Sequence, residues 1–135
     1  MEFFFYGTLM DDDVLSRVVG RRLPPASIES ASLLGYKRVY ADKALYPVLV
    51  PFEGGWTDGH LVGGLAPVEL ERIFAFEDEG YVAQLMAVSG VRSGEAQALV
   101  FMPGSDMKIT SRAWHYDEWR RHHKGLYLQR IWGKA

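Results

Sequence analysis

The sequence predicts an α+β fold: a small, mixed but mostly antiparallel, barrel-like β-sheet with a few flanking helices. Short strand-like segments bounded by glycine and proline outnumber the segments with helical periodicity. Most of these strands follow one another directly, whereas strands that alternate with helices would indicate a parallel sheet. At 135 residues the chain is long enough to bury a core of its own. Because no repeat, low-complexity tract or linker divides it, we expect one domain over residues 1–135.

Composition excludes several classes of site and partner. The chain has no cysteine, so disulfides, thiolate metal sites and a cysteine nucleophile are ruled out. A formal net charge of −2 gives no electrostatic case for binding nucleic acid or an anionic membrane. No apolar run approaches the roughly 18 residues that span a bilayer, and the residues after Met1 lack the features of a signal peptide. We therefore expect a cytoplasmic protein without membrane or nucleic-acid partners, and the sequence leaves a homo-oligomer open.

The N-terminal segment predicts a buried strand followed by a helix. Residues 2–6 are mostly aromatic and end at a glycine, which is typical of a strand in a sheet core. Asp11, Asp12 and Asp13 follow where a helix would begin, since acids there accept from free N–H groups and complement the dipole. Gly20 can end this helix in the left-handed conformation.

The rest of the chain predicts strands and two further helices. We expect strands over residues 27–41 with a bulge or bend at Gly35, 45–52, 60–68, 81–88 and 95–102, and helices over residues 68–77 and 116–123, the second ended by Gly125. Residues 53–59 predict a turn, and residues 89–94 predict the turn of a hairpin.

Glu77 is the first candidate for chemistry. In a helix over residues 68–77, it shares one face with Leu70, Ile73 and Phe74 at positions i, i+3, i+4 and i+7. An acid at the end of an apolar stripe that stays partly desolvated has a raised pKa, which suits a group that takes and gives a proton near neutral pH. Alternatively, the helix ends before Glu77 and leaves the acid in a solvated loop.

The turn after the first strand is the second candidate. A strand end followed by Gly7, Thr8 and Leu9 and then a helix exposes several backbone N–H groups without partners of their own. Such a turn can bind an anion, and the positive end of the next helix reinforces it if its axis points there. The alternative is a tight turn that only caps a core strand.

Several segments, taken in order, resemble the gamma-glutamyl cyclotransferase-like family, including its gamma-glutamylamine cyclotransferase branch. The segment FFFYGTLM resembles the family's hydrophobic strand ending in Tyr-Gly-Thr-Leu, and Tyr46 and Pro47 resemble its Tyr-Pro segment. The segment IFAFEDEGY resembles the family's Leu-Asp-x-aromatic-Glu-Gly-x-x-Tyr, which aligns Glu77 with the catalytic acid/base and Tyr81 with the following tyrosine. With the strand segments GHLV and ALVFM, the resemblance covers most of the chain to about Pro103.

Two positions around the acid depart from the family's pattern. Phe74 stands where the family has an aspartate, and Asp78 stands where it has a glycine. Glu79, which a glycine follows, competes for the family's Glu-Gly pair in a shifted register. We prefer Glu77 because it keeps the preceding aromatic residue and the four-residue step to Tyr81. The departures leave an altered substrate or lost activity open.

The resemblance implies a γ-glutamyl cyclotransferase, an acyltransferase or lyase that needs no cofactor. Its substrate would be a small-molecule γ-glutamyl amide whose carboxylate binds the turn of Tyr6, Gly7, Thr8 and Leu9. The substrate's own amine would attack its γ-carbonyl and release 5-oxoproline with a free amine or amino acid. Glu77 would take a proton from the ammonium and give one to the leaving group.

Other interpretations stay open. Tyr6 and Tyr81 could bind substrate or the acid, or could be core tyrosines with satisfied hydroxyls. The four histidines lack a metal-ligand spacing, so we expect no metal site. A different class of function is a non-catalytic or repurposed pocket protein that binds a small anionic metabolite or a protein partner. Hydrolysis by water that the same acid activates cannot be distinguished from cyclisation on this basis.

Overall fold

The computed structural model describes residues 1–77 and 79–133. Its strands are β1 (Phe3–Phe5), β2 (Ile28–Ala41), β3 (Pro47–Val62), β4 (Tyr81–Gly90), β5 (Gly94–Pro103) and β6 (Ile109–Ala113). Its helices are α1 (Asp12–Val19), α2 (Pro67–Phe76), α3 (Tyr116–Glu118) and α4 (Lys124–Trp132), with a π-helical turn, Trp119–His123, between α3 and α4. Asp78, one of the two departures from the family's pattern, lies outside the described residues.

The sheet is a closed barrel, as the fold class predicted. The strands run in the order β3-β1-β5-β4-β2, and β2 pairs again with β3 to close the ring. The β1–β5 pair is parallel and the other pairs are antiparallel, while β6 adds to the edge of β2. The prediction of a mixed, mostly antiparallel barrel-like sheet with flanking helices is therefore confirmed. None of the helices in the described residues is long and apolar enough to cross a membrane.

Strand β1 supplies side chains to both sides of the barrel wall. Alternate residues of a strand point to opposite faces. Phe3 and Phe5 pack outside the barrel in a core formed with α1, α2 and the C-terminal helices. Phe4 and Tyr6 lie in a second core within the barrel. All four are at least 95% buried. Packing on both faces therefore fixes the direction of β1 and the point where it leaves the sheet.

Several local predictions are confirmed. Gly35 lies at the register shift between Leu34 and Tyr36, with a φ of 87° that favours glycine. The β4–β5 hairpin pairs Tyr81 with Pro103 at its open end and Gly90 with Gly94 beside its turn. Its register matches the two strands predicted over residues 81–88 and 95–102.

The prediction of a turn within β3 was wrong, and strand β6 was missed. Residues 53–59 were expected to form a turn between two strands, but they belong to the continuous strand β3. The glycines there form a bulge instead: Trp56 pairs with Leu34 and Pro51 pairs with Tyr36, so residues 52–55 have no pairing register on β2. Strand β6 was not predicted, because it is short, mostly exposed and held only by pairing with β2.

Helix α2 and the C-terminal helix end at residues other than those predicted. Helix α2 ends at Phe76, so Glu77 is its C-terminal cap in an extended conformation rather than its last helical residue. The Glu77 N–H still donates to the Ile73 carbonyl at 3.2 Å. Gly125 does not stop the C-terminal helix, which continues to Trp132. The ring of Trp132 stacks on Phe76 at 5.9 Å, and this contact outweighs the low helix propensity of one glycine.

Asp11 connects the first helix to the last. Its carboxylate accepts from the N–H groups of Asp13 and Val14 and so caps α1, which ends at a left-handed Gly20 as predicted. The other oxygen contacts Lys124 Nζ at 2.9 Å, at the start of α4. The N–H groups of Asp13 and Val14 in the first turn of α1 therefore already have an acceptor in the helix cap.

We expect Asp11→Ala to lower the free energy of unfolding by about 1–3 kcal/mol, because it removes the helix cap and leaves Lys124 with fewer partners. Urea denaturation measures the change. Asp12→Ala is the matched control, since the carboxylate of Asp12 is exposed and pairs with Arg22 at the surface; it should cost less than about 0.5 kcal/mol. Equal losses in the two variants would contradict the role of Asp11.

Candidate active site

One cavity opens where β1 leaves the barrel. It has a volume of about 210 Å³ and lies between the barrel and helices α2 and α4. Its lining combines the turn after β1, one carboxyl group, several tyrosines and an apolar wall, contributed by Phe4, Phe5, Tyr6, Gly7, Thr8, Leu9, Tyr46, Pro47, Phe76, Glu77, Tyr81, Phe101, Tyr127 and Ile131. The cavity lining therefore includes Glu77, Tyr81 and the four residues of the proposed anion-binding turn, Tyr6, Gly7, Thr8 and Leu9.

The turn after β1 satisfies only part of its own backbone hydrogen-bonding capacity within the described residues. The carbonyls of Gly7 and Thr8 accept from the N–H groups of Met10 and Asp11, which makes a short 3₁₀ turn. Within residues 1–77 and 79–133, no protein acceptor is hydrogen-bonded to the N–H groups of Gly7, Thr8 and Leu9. Because Asp11 already caps α1, an anion in the cavity would meet these three amides rather than the helix itself.

Gly7 is required by a close approach rather than by its backbone angles. A Cβ built on Gly7 would lie 2.9 Å from Pro47 Cγ and 3.0 Å from Pro47 Cδ. The Pro47 carbonyl in turn accepts from the Tyr81 hydroxyl. The turn therefore packs directly against the Tyr46-Pro47 segment of the opposite wall.

The two candidate acids have different surroundings. Glu77 is half-buried and lines the cavity, whereas Glu79 is exposed and does not. Glu77 follows the last turn of α2, whose Ile73 is fully buried. Phe74, which replaces the family's aspartate, packs its ring against Phe3 and Phe101 and lies outside the cavity lining.

Tyrosines surround the Glu77 carboxyl. Burial raises the pKa of Tyr6 well above its usual value; the negative charge of Glu77 raises it further, and the neighbouring Tyr81 hydroxyl partly opposes this. Burial likewise raises the pKa of Tyr81, with the nearby tyrosines and Glu77 adding to the effect. Burial, with the charge of Glu77, raises the pKa of Tyr127 to about 12, although its hydrogen bond with Thr8 lowers it. These phenols are therefore neutral at physiological pH.

Two of these tyrosines donate their hydroxyl protons to main-chain carbonyls. The Tyr6 hydroxyl donates to the Phe101 carbonyl at 2.5 Å, and the Tyr81 hydroxyl donates to the Pro47 carbonyl at 2.5 Å. A phenol that donates its one proton keeps oxygen lone pairs to accept with. Both oxygens can therefore act as acceptors for an N–H group in the cavity.

Tyr127 and Ile131 are cavity residues that the sequence analysis missed. The Tyr127 hydroxyl is 2.9 Å from Thr8 Oγ1, which ties α4 to the turn. The predicted helix stop at Gly125 removed both residues from consideration. Their i, i+4 spacing beyond Gly125 was the available signal, because it places two large residues on one helix face.

The described residues contain no group of three or more histidine, aspartate or glutamate side chains that could hold a metal ion. Of the four histidines, His60 lies on β3 beside Phe5 of β1. Burial lowers its pKa, which favours the neutral ring.

Comparison with known proteins identifies relatives across most of the chain. The family model described as "Gamma-glutamyl cyclotransferase, AIG2-like" matches residues 3–121. AIG2-like protein A of Arabidopsis thaliana is 29% identical over 93% of this chain and 76% of that protein. A solution structure of an Arabidopsis thaliana protein covers 96% of this chain and 87% of its own, at 29% identity and a TM-score of 0.67. A structure titled gamma-glutamyl cyclotransferase, at 11% identity, covers 96% of this chain and 84% of its own with a TM-score of 0.60, and shows a shared fold.

We expect Gly7→Ala to lower the free energy of unfolding by about 1–3 kcal/mol, because the added methyl group forces the turn or the Pro47 ring to move. Chemical denaturation measures it. Gly125→Ala is the matched control: its Cβ would meet nothing within 4 Å, and the helix should be stabilised. A Gly7→Ala variant as stable as the wild type would show that the turn is not tightly packed.

The raised pKa of Tyr127 predicts a loss of stability in alkaline solution. Below pH 10 both states keep the proton, but between pH 10 and about 12 only the unfolded state releases it, so stability falls. Over this range the stability advantage of the wild type over Tyr127→Phe should shrink by up to about 2 kcal/mol. Denaturation curves of both proteins at several pH values test this, and a constant difference would contradict it.

Proposed function

We propose that this chain, which belongs to the gamma-glutamyl cyclotransferase, AIG2-like family, cyclises a γ-glutamyl amide to 5-oxoproline and releases the amine. The observation that carries the proposal is the shared cavity. Gly7, Thr8 and Leu9, whose N–H groups have no protein acceptor within residues 1–77 and 79–133, line the same space of about 210 Å³ as Glu77. That space suits a small zwitterion with a carboxylate near one end and an amine beside it.

The turn would hold the substrate's α-carboxylate. Three N–H groups that donate to one anion form charge-assisted hydrogen bonds, which are stronger than those between neutral groups. Anchoring the carboxylate restricts rotation about the bonds that separate the α-amine from the γ-carbonyl. The attack then occurs within one held molecule, so much of its entropy cost is met by binding.

The substrate's α-ammonium would lie among acceptors. The oxygens of Tyr6 and Tyr81 can accept because their protons are donated to main-chain carbonyls. The carboxylate of Glu77 attracts the same ammonium. Since the phenols keep their protons at neutral pH, Glu77 is the member of this group that can remove a proton from the ammonium.

The proton balance can be met by one carboxyl group acting twice. The attacking nitrogen begins as an ammonium with three hydrogens and ends as a lactam N–H with one. The departing nitrogen begins as an amide N–H and leaves as an ammonium with three hydrogens. Two protons therefore pass from one nitrogen to the other, and Glu77 would carry each in turn while the C–N bond forms and the old amide bond breaks.

The apolar wall favours an apolar leaving group. Phe76, Phe101 and Ile131 line the part of the cavity contributed by α2, β5 and α4. An alkyl chain buried there would gain about 0.8 kcal/mol per methylene group. A second carboxylate in the leaving group would instead meet the negative charge of Glu77. We therefore propose γ-glutamyl alkylamines ahead of γ-glutamyl amino acids.

The expected outcome of an activity assay is release of 5-oxoproline by the wild type, with a loss of about 10²–10⁴-fold in Glu77→Gln, because glutamine cannot carry a proton. Chromatographic detection of 5-oxoproline from γ-glutamyl butylamine, γ-glutamyl ethylamine and γ-glutamylglycine measures it. The butylamine derivative should have the highest kcat/KM, and γ-glutamylglycine the lowest.

Glu79→Gln is the matched control, since Glu79 is exposed and only two residues away. Its activity should stay close to that of the wild type. Loss in Glu79→Gln with retention in Glu77→Gln would exchange the roles of the two acids. No 5-oxoproline from any substrate, with ligands still stabilising the wild type against heat, would favour a pocket that binds a small anion without turnover.

A further inference from the structure

Arg38 is a half-buried cation that the proposed reaction does not use. It lies on β2, and its Nη1 donates to two main-chain carbonyls, Tyr6 O at 3.1 Å and Asp58 O at 3.0 Å. These carbonyls belong to the end of β1 and to its neighbour β3. Arg38 therefore bridges the two strands at the point where β1 leaves the sheet.

The surroundings of Arg38 hold its guanidinium in place. The group lies 5.8 Å from the centre of the Trp114 ring, and Trp114 is almost fully buried. The Trp114 ring N–H donates to the Leu45 carbonyl at 3.1 Å, and its main-chain N–H donates to the Arg38 carbonyl at 3.2 Å. A cation kept partly out of water and fixed on an aromatic ring has little freedom to turn away from its acceptors.

The hydrogen bond from Arg38 to the Tyr6 carbonyl also constrains the N–H of the same peptide group, which belongs to Gly7. No cis peptide bond occurs among the described residues, and in a planar trans peptide the carbonyl and the following N–H point in opposite directions. Fixing the Tyr6 carbonyl on Arg38 therefore fixes the Gly7 N–H on the opposite side. Gly7 lines the cavity and its N–H has no protein partner in the described residues.

We propose that Arg38 is a positioning residue that holds the Tyr6–Gly7 peptide with its N–H directed into the cavity. Glycine has unusual freedom at this junction, because it lacks the Cβ that restricts other residues. Without the guanidinium, the peptide plane could rotate and withdraw the N–H. The positive charge on the carbonyl side also polarises the peptide and makes its N–H a better donor to an anion. The proposal rests on the proposed function, in which this N–H binds the substrate carboxylate.

The first test needs no substrate. Residual dipolar couplings of backbone N–H groups report their orientation, so they can be measured in the wild type, Arg38→Met and Arg38→Lys. Methionine keeps the length and apolar stem of the side chain but donates nothing, whereas lysine keeps a charged donor. The Gly7 coupling should change in Arg38→Met and return towards the wild-type value in Arg38→Lys, while the couplings of β1 stay constant.

The second test compares the effect of the Arg38 substitutions on KM with their effect on kcat. A carboxylate contact is equally present in the ground state and the transition state, so losing one N–H should raise KM about tenfold for γ-glutamyl butylamine and leave kcat within about threefold. Arg38→Lys should recover much of the loss. Arg112→Met is the matched control, because Arg112 is a surface cation whose guanidinium lies over the Tyr40 ring; its KM should not change.

An unchanged Gly7 coupling in Arg38→Met would overturn the proposal, as would a loss confined to kcat. If Arg38→Met does not fold, Arg38→Gln takes its place with the same expected displacement of the Gly7 coupling. A displaced coupling with no 5-oxoproline release by the wild type would retain the role of Arg38 and reject the proposed reaction. The two failures are therefore distinguishable.

Discussion

The site depends on where β1 stops. This strand is paired with β3 on one side and β5 on the other, and its side chains fill the cores on both faces of the barrel wall. With its direction fixed in this way, the chain must leave the sheet after Tyr6, and the amides of the next three residues lose the partners a strand would provide. A buried N–H without a partner costs about 1–3 kcal/mol, so the turn is suited to an anion that supplies the missing acceptor.

The second requirement is an acid that lines the same cavity as this turn. Glu77 meets it because α2 ends at Phe76 and turns the next residue towards the cavity. Tyr6, Tyr81 and Tyr127 line the cavity with it, and their pKa values are raised by burial and by the charge of Glu77 itself. The same arrangement keeps the phenols neutral and leaves proton transfer to the carboxyl group. Arg38 contacts the carbonyl side of the Tyr6–Gly7 peptide, and its charge acts on the Gly7 N–H through that peptide group.

Patterns in the sequence correctly predicted the structural features that depend on interactions between residues close together in the chain. The aromatic run of β1, the aspartates before α1 and the bulge at Gly35 each follow from backbone preferences and hydrophobic spacing. The bulge at residues 52–55 could not be predicted, because glycines fit a turn and a bulge equally well and only the pairing with β2 distinguishes them. Tyr127 was missed for a similar reason: tertiary contacts carry its helix past Gly125. The site residues proposed from the family's motifs line the cavity, whereas Tyr127 and Ile131, which a distant helix contributes to the same cavity, were missed.

The most direct test of the central claim is a crystal structure of the protein with 5-oxoproline bound at saturating concentration. The account predicts that the carboxylate oxygens lie about 3 Å from the N–H groups of Gly7, Thr8 and Leu9, a normal hydrogen-bond distance, with the ring N–H directed towards Glu77. A carboxylate bound elsewhere, or a turn whose amides stay unoccupied at saturation, would contradict the account.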